Sequence, residues 1–367
     1  MKILKKTLKA IGALIGIFLL YIILSVAYGT ATDYQPVNVI PLETETKGIA
    51  ALDKDSLSFI LWNVGYGGLG AESSFFFDDG RMLHSGEKMV NAPKASVEKN
   101  IKGVEDFVKA NDYDFYLFQE VDFSSKRSRF VNQYEKYGDA LPNYASTFAE
   151  NYNVKRVPIP VLEPFNVMGK IHSGLATYSR YTIHDPNRMQ LPGKYDWPDR
   201  IFQLDRCLAT HRVKIDSSDK ELIIINTHNS AYDEGGFMKK QEMEFLREIV
   251  LEEYEKGNYI VVGGDWNQCP PDFKPNSFRP EITPDEYYQI NVPTDFLPEG
   301  WKWAHDKNVP TNRKLVSPYR GAEKETFVTL IDFFLISPNV ELVEVKGIDT
   351  DFEYSDHQAV GLKVRLK

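Results

Sequence analysis

Tyr259-Ile-Val-Val-Gly-Gly-Asp-Trp-Asn267 decides how this chain is read. Residues 259–263 are a short apolar run without polar alternation, the pattern of a strand buried on both faces. The run stops on an acid and an amide, Asp265 and Asn267. Four other apolar runs carry the same kind of mark. Leu57-Ser-Phe-Ile-Leu-Trp-Asn63 ends on Asn63, before the loop Gly65-Tyr-Gly-Gly68. Phe115-Tyr-Leu-Phe-Gln-Glu120 ends on Glu120, residues 221–227 run into His228, and Leu330-Ile-Asp-Phe-Phe-Leu-Ile336 carries Asp332. Residues 175–179, 207–215 and 359–366 are further predicted strands, and Ser355-Asp356-His357 stands just before the last.

Between these runs the period changes. Val97, Ile101, Val104 and Val108 recur at helical spacing and predict an amphipathic helix over 94–111. A second helix is predicted over 238–256, with Gly257 placed to close it. Residues 270–318 hold nine of the 20 prolines and no sustained period, which predicts a long structured surface loop near a substrate site. No internal repeat or low-complexity tract is present. Many strands and few helices along the whole length predict one α/β domain of sheet layers flanked by helices.

The 367 residues are 43% hydrophobic and 26% charged, enough apolar side chain for a core and unlike a disordered chain. A net charge of -9 excludes binding to nucleic acid by bulk charge, although it allows a local basic groove. The two cysteines, Cys207 and Cys269, make neither a zinc pattern nor a disulfide scaffold. One bridge between them stays open if the domain lies outside the cytoplasm.

The N-terminus differs from the rest. Lys2, Lys5, Lys6 and Lys9 precede an apolar stretch over residues 10–28. That is longer than the ~7–15 residues of a signal-peptide core and close to what a ~30 Å hydrocarbon layer needs. Residues 1–32 are therefore expected to be a signal anchor, with the lysines in the cytoplasm and the rest outside. The alternative is secretion after cleavage, with Ala27 and Gly29 as the small residues before the cut. Residues 33–56, polar and carrying Pro36 and Pro41, are expected as a linker or stalk. Residues 57–367 are then the catalytic domain.

Carboxylates at the ends of buried strands are costly unless a cation or hydrogen bonds compensate. Oxygen donors with amides and imidazole suit Mg²⁺ or Mn²⁺ better than zinc. An acidic pocket receives a phosphate only where a metal reverses its charge. The set points to metal-assisted hydrolysis of a phosphate ester.

In order and context these motifs resemble the endonuclease/exonuclease/phosphatase superfamily, which includes DNase I-like nucleases, abasic-site endonucleases, neutral sphingomyelinases and inositol polyphosphate 5-phosphatases. The resemblance runs over residues 57–367. It implies a DNase I-like four-layered αββα sandwich, with two central mixed β-sheets and a site at one end. It implies Glu120 as the principal Mg²⁺ ligand, with Asn63 beside the metal and Asp356 helping to bind it or to position His357. Asp265 would orient or activate the attacking water, which Asn267 would hold together with a phosphate oxygen. His357 would meet the scissile phosphate, its tautomer fixed by Asp332. His228 would donate to a phosphate oxygen or protonate the leaving group.

Other stretches bear on the substrate. Asp122-Phe-Ser-Ser-Lys-Arg-Ser-Arg129 would bring Arg127 or Arg129 to a phosphate, and Asn229-Ser-Ala-Tyr-Asp233 follows His228. The run Phe75-Phe76-Phe77 is expected in the core, or on a membrane-facing loop if the substrate is a lipid. No basic run like those of DNA-binding relatives and no Asp-Lys segment like that of the sphingomyelinases is present. Nucleic acid, phospholipid and inositol phosphate therefore all remain as substrates. His84, His172, His184, His211 and His305 are expected on the surface or in loops, and Cys269 as structural. An inactive binding module on the same fold would have no need of Glu120, Asp265, Asn267 and His357 together.

Overall fold

Burial along the strands sorts the side chains into layers. The computed structural model describes residues 2–44, 47–231, 233–283, 290–319 and 326–367. Its helices are α1 (Lys2–Ala31), α2 (Lys94–Ala110), α3 (Gln133–Asp139) and α4 (Phe237–Glu255). The strands are β1 (Val39–Pro41), β2 (Ser56–Asn63), β3 (Phe115–Asp122), β4 (Ala145–Val157), β5 (Gly169–Ser179), β6 (His184–Gln190), β7 (Cys207–Lys214) and β8 (Glu221–His228). They continue as β9 (Tyr259–Asp265), β10 (Lys302–Ala304), β11 (Asn312–Arg313), β12 (Val328–Thr329), β13 (Asp332–Ile336), β14 (Val340–Ile348) and β15 (Ala359–Leu366).

Phe59 and Leu61 of β2 and Leu117 of β3 share a core with Ile224 of β8, Val261 of β9 and Phe334 of β13. Their strand neighbours Ile60, Trp62 and Phe118 pack instead with Val97, Ile101 and Val104 of α2. On the far side, Ile225, Ile260 and Val262 pack with Met243, Leu246 and Val250 of α4. The layers are therefore helix, sheet, sheet and helix, the DNase I-like arrangement. A strand covered on both faces has no polar face to show, which is why the central runs read as continuous apolar stretches. The layers meet closely at Gly263, where a Cβ would lie 2.7 Å from the Phe334 ring and 2.8 Å from Leu117.

One sheet has the order β14-β15-β2-β3-β5-β4, the other β1-β6-β7-β8-β9-β13-β10. Each has one parallel pair, β2 with β3 and β8 with β9, joined by the crossover helices α2 and α4. The ends of parallel strands lie at one edge, so Asn63 and Glu120, and likewise His228 and Asp265, come out together. Asp332 opens β13 rather than ending a strand. Because β13 runs antiparallel to β9, with Asp332 opposite Asp265, its beginning lies at the same edge.

Several strands have no apolar run to announce them. β4, β6, β14 and β10 stand at or next to sheet edges, where one buried face suffices. The polar sequence of β6, His-Asp-Pro-Asn-Arg-Met-Gln, contains even a proline. Gly257 takes the left-handed conformation after α4, as expected of a closing glycine (φ 85°). Within 270–318, residues 284–289 lie outside the described residues, and the described part contains β10 and β11; in the stretch after His228, Tyr232 also lies outside them.

The segment 33–56 is not a free stalk. Val39–Pro41 pairs with β6, Ile49 and Leu52 form bridges to Tyr181 and Ile215, and Leu52 is buried. Cys207 and Cys269 are both free and buried in separate clusters, so the bridge left open by the sequence is absent. His211 is a correction as well. It is fully buried in β7, where Nδ1 lies 3.2 Å from the Ile224 carbonyl and Nε2 2.8 Å from the Thr147 hydroxyl of the other sheet.

The apolar helix α1 is exposed over its first half and is long enough to cross a membrane. Its second half carries a half-buried stripe, Phe18, Tyr21, Ile22, Ser25 and Val26, and its end packs tightly on the domain. Gly29 is buried so closely against Ile201 and Phe202 that a Cβ there would lie 2.8 Å from the Phe202 ring. Trp197 Nε1–H donates to Thr30 Oγ1 at 3.1 Å, and Arg200 lies 3.7 Å from Asp33.

Candidate functional site

The strand ends open into a cleft of about 1270 Å³, counted out to open solvent. Its polar floor brings together Glu120, His228, Asp265, Asn267, Asp356 and His357. Asn63 lies beneath them. Its Nδ2 donates to Asp265 Oδ2 at 3.0 Å and approaches Glu120 Oε1 at 3.4 Å, while its Oδ1 accepts from Gly65 N–H at 3.0 Å. Gly65 is required here: its φ is +50°, and a Cβ would lie 2.8 Å from Asp356 Oδ1.

Glu120 leaves the sheet at a bulge. The β3–β5 ladder passes from Phe118 opposite Ala176 to Val121 opposite Gly174, which leaves one extra residue in β3. Glu120 takes φ 53° and is only half buried. Asn267 is likewise left-handed, at φ 49°. Left-handed backbone at two non-glycine residues is a strained feature, and such strain concentrates at working sites.

Asp265 is held from several sides. Its Oδ1 accepts from Asn267 N–H at 3.0 Å, and its Oδ2 lies 3.4 Å from His228 Nε2 and 3.7 Å from His357 Nε2. His357 Nδ1 faces Asp332 Oδ2 at 2.8 Å, which directs Nε2 into the cleft. Asp332 Oδ1 and His228 Nδ1 are buried without a hydrogen-bond partner among the described residues.

The two imidazoles are held in opposite states. Burial, then the positive charges of Arg206 and His357, pushes His228 well below its ordinary pKa, so it is neutral. Burial works against charge on His357 too, but Asp332 and Asp265 outweigh it and hold the ring protonated. Burial and then repulsion from Glu120 raise the Asp356 carboxyl, to about 7. Pairs of groups with pKa values driven apart are the arrangement that acid–base chemistry uses. Asp265, Asp332 and His357 also present ligand-type atoms within 4.8 Å of one another.

Arg127 borders the cleft, but its guanidinium is already engaged. It bonds Asp122 through Nε and a terminal nitrogen and stacks 3.7 Å from the centre of the Tyr66 ring. Sequence reasoning missed three neighbours. Asn312 Nδ2 lies 3.0 Å from His357 Nε2, Arg206 lines the cleft beside the His228 carbonyl, and buried Arg313 braces the loop through the Gly70 carbonyl at 2.7 Å. Asn312 lies in the proline-rich stretch, where no local pattern marks it. Phe75 and Phe77 line the cleft and Phe76 is fully buried, so this run is core and cleft rather than an exposed loop.

Comparison with known proteins follows the same lines. No curated protein sequence matches significantly. Among solved structures, an endonuclease/exonuclease/phosphatase from Beutenbergia cavernae is similar at TM-score 0.59 and 16% identity, over 85% of this chain and 72% of that one. One from Bacteroides vulgatus is similar at TM-score 0.53 and 16% identity, over 86% and 100%. The human Nocturnin catalytic domain is similar at TM-score 0.52 and 13% identity, over 89% and 98%. Identities this low show the fold alone. The sequence pattern described as "Endonuclease/Exonuclease/phosphatase family" matches residues 60–357, and with it the chain belongs to that family.

Proposed function

We propose that the protein is a divalent-metal-dependent phosphoester hydrolase, held by α1 at the outer face of a membrane. The observation that carries this reading is the convergence of Glu120, His228, Asp265, Asp332 and His357 from separate strand ends on one cleft. The donor set fits a hard cation. Burial, with the charge of Glu120 added to it, raises the Asp356 carboxyl, and Asn63 lies beside Glu120 with its amide nitrogen toward that carboxylate, so that its oxygen would turn from the Gly65 N–H to meet an ion. Glu120, Asp356 and Asn63 would hold Mg²⁺, with Mn²⁺ as the alternative. The bound ion would supply positive charge to the phosphoryl oxygens.

The protein's own groups do the rest. Asp265 takes the proton of the attacking water, because its buried carboxylate is fixed by Asn63 and by the Asn267 N–H. Asn267 is itself anchored by Nδ2–H donation to the Asn229 carbonyl at 2.9 Å. His357, oriented by Asp332, donates from Nε2 to a phosphoryl oxygen that gains charge in the transition state. His228, whose Nε2 approaches the same Asp265 oxygen as His357, donates to a second oxygen or to the leaving group. Arg127 shapes the cleft through Tyr66 and adds positive field.

The contact of Gly29 with Phe202 and the bond from Trp197 to Thr30 support an anchor that is retained. The four lysines before α1 support a cytoplasmic N-terminus and an outward domain. The test is hydrolysis of bis-p-nitrophenyl phosphate by the full chain in detergent, with Mg²⁺ and with EDTA. Turnover that needs the metal and falls at least a hundredfold in Glu120→Gln and His357→Ala is expected. No turnover, or unchanged rates in both variants, would sink the reading.

A further inference from the structure

The cleft has two chemically different walls, and the second one leads to the membrane helix. Besides the polar floor, the cleft is lined by Leu69, Phe75, Ile159, Phe202, Leu204 and Leu315, which pack in one apolar cluster. A phosphate and a metal make no use of such a wall; an apolar part of the substrate does. Phe202 has a double position. It lines the cleft and also packs on Gly29, in the last turn of α1. The mouth of the cleft is thus one side chain away from the point where the apolar helix ends.

Both lips of that mouth end in exposed apolar groups. The lip that contributes Ile159 and Met168 carries Leu162 and Phe165, and Phe165 is 97% exposed. Its backbone is tied to the neighbouring loop by Val161 N–H to the Met82 carbonyl and Leu162 N–H to the Leu83 carbonyl. Met82 and Leu83 are exposed as well. The lip that contributes Phe202 and Leu204 carries Trp197, exposed, with its indole N–H bonded to Thr30 at the helix end. An indole with one wet and one apolar side is suited to the level of lipid headgroups. Exposed apolar groups gathered at a mouth mark a contact surface, unlike single scattered ones.

We infer that the substrate is a long-chain phosphate ester of the bilayer, its phosphate on the polar floor and the start of its chain along the Phe202–Ile159 wall. The inference rests on the phosphoester-hydrolase reading and names its substrate class. A nucleic acid would instead ask for a basic strip along the cleft. The cations at this cleft are the few arginines already named, and Arg127 and Arg313 are bonded within the protein.

The test uses the full chain in nanodiscs and a series of alkyl phosphates, butyl to octyl, with Mg²⁺. Binding is read by calorimetry, and competition by bis-p-nitrophenyl phosphate hydrolysis. Each added methylene on an apolar wall tightens binding about threefold, so roughly a hundredfold is expected from butyl to octyl. Partition into the nanodisc adds to any chain-length trend, so the decisive comparison is with Phe202→Asp and Ile159→Asp. These variants feel the same partition and are expected to lose most of the trend. Two separate loops are tested, so a folding defect in one does not decide the result. Equal chain-length dependence in wild type and both variants overturns the inference, as does stronger competition by a single-stranded oligonucleotide than by octyl phosphate. Failure of the hydrolase reading looks different: no turnover of bis-p-nitrophenyl phosphate, while calorimetry still reports on the wall.

Discussion

The two parallel strand pairs, β2-α2-β3 and β8-α4-β9, have the same topology and deliver different chemistry. Both bring two polar residues to one edge, Asn63 with Glu120 and His228 with Asp265. In the second pair the register is unbroken, His228 stands opposite Asp265, and the carboxylate is buried among donors. In the first pair the register is unbroken as well, but a bulge of β3 against its other neighbour, β5, turns Glu120 out of the sheet, half exposed and in a left-handed conformation. The crossovers differ too. From Asn229 to Asn258 the chain goes almost directly through α4, whereas before α2 it makes the loop that carries Tyr66, Leu69 and Phe75 into the cleft. Topology thus fixes where a residue emerges, and local backbone decides whether it faces a hydrogen-bond network or an open cleft.

The proposed division of labour can be broken by substitution. Asp265→Asn, in the regular pair, is expected to lower kcat about 10³-fold at saturating Mg²⁺, because the group that takes the proton is gone. A loss that added metal restores would put Asp265 in the wrong role. Acid should act on the frame that joins the two sheets. Burial lowers the pKa of His211 to about 4, against an ordinary 6.5, so the folded ring stays neutral where the unfolded chain already binds a proton. Stability from this group is complete above pH 6.5 and is lost as pH falls toward 4, by about 3 kcal/mol in total. Denaturant unfolding of wild type and His211→Gln between pH 4 and 7 checks it: the variant should show a flatter profile.

Glu120→Gln, in the bulged pair, is expected to raise the half-saturating Mg²⁺ concentration roughly 10–100-fold, with part of the rate recovered at high metal. Metal titration of the variant against Asp265→Asn separates the two pairs. If both respond alike, the comparison fails. The smallest effect concerns the link between the pairs. Gln119 Nε2 donates to Asn226 Oδ1 at 2.7 Å, and Asn226 Nδ2 returns to the Ala176 carbonyl at 3.2 Å, all buried. Asn226→Ala leaves those partners unpaired and should cost about 1–3 kcal/mol in denaturant unfolding. An unchanged midpoint would mean that the sheets are held by apolar contact alone.

The site was legible to the extent that its residues terminate central strands. Asn63, Glu120, His228 and Asp265 each follow an apolar run because strands covered on both faces have no other place for a polar group. Asp332 was found for a related reason, although it begins its strand. Asn312 and Arg206 had no such frame, since one lies in an irregular stretch and the other precedes β7 instead of ending a strand. The edge strands β4, β6 and β14 escaped because their half-polar sequences resemble loops. His211 escaped because a lone histidine in a strand does not show which face it takes.

By itself, the sequence determined the class of the fold, the positions of the central strands along the chain, the apolar N-terminal helix and most of the polar floor. These depend on local burial and period, which neighbouring residues report. Only the tertiary structure decided that Val39–Pro41, Ile49 and Leu52 pair with the domain, that the two cysteines are apart, and that Arg127 is committed to Asp122. It alone placed the end of α1 against Phe202, and so set an apolar wall between the helix and the floor. Such facts depend on which distant segments meet, and a pattern read along the chain carries no record of that.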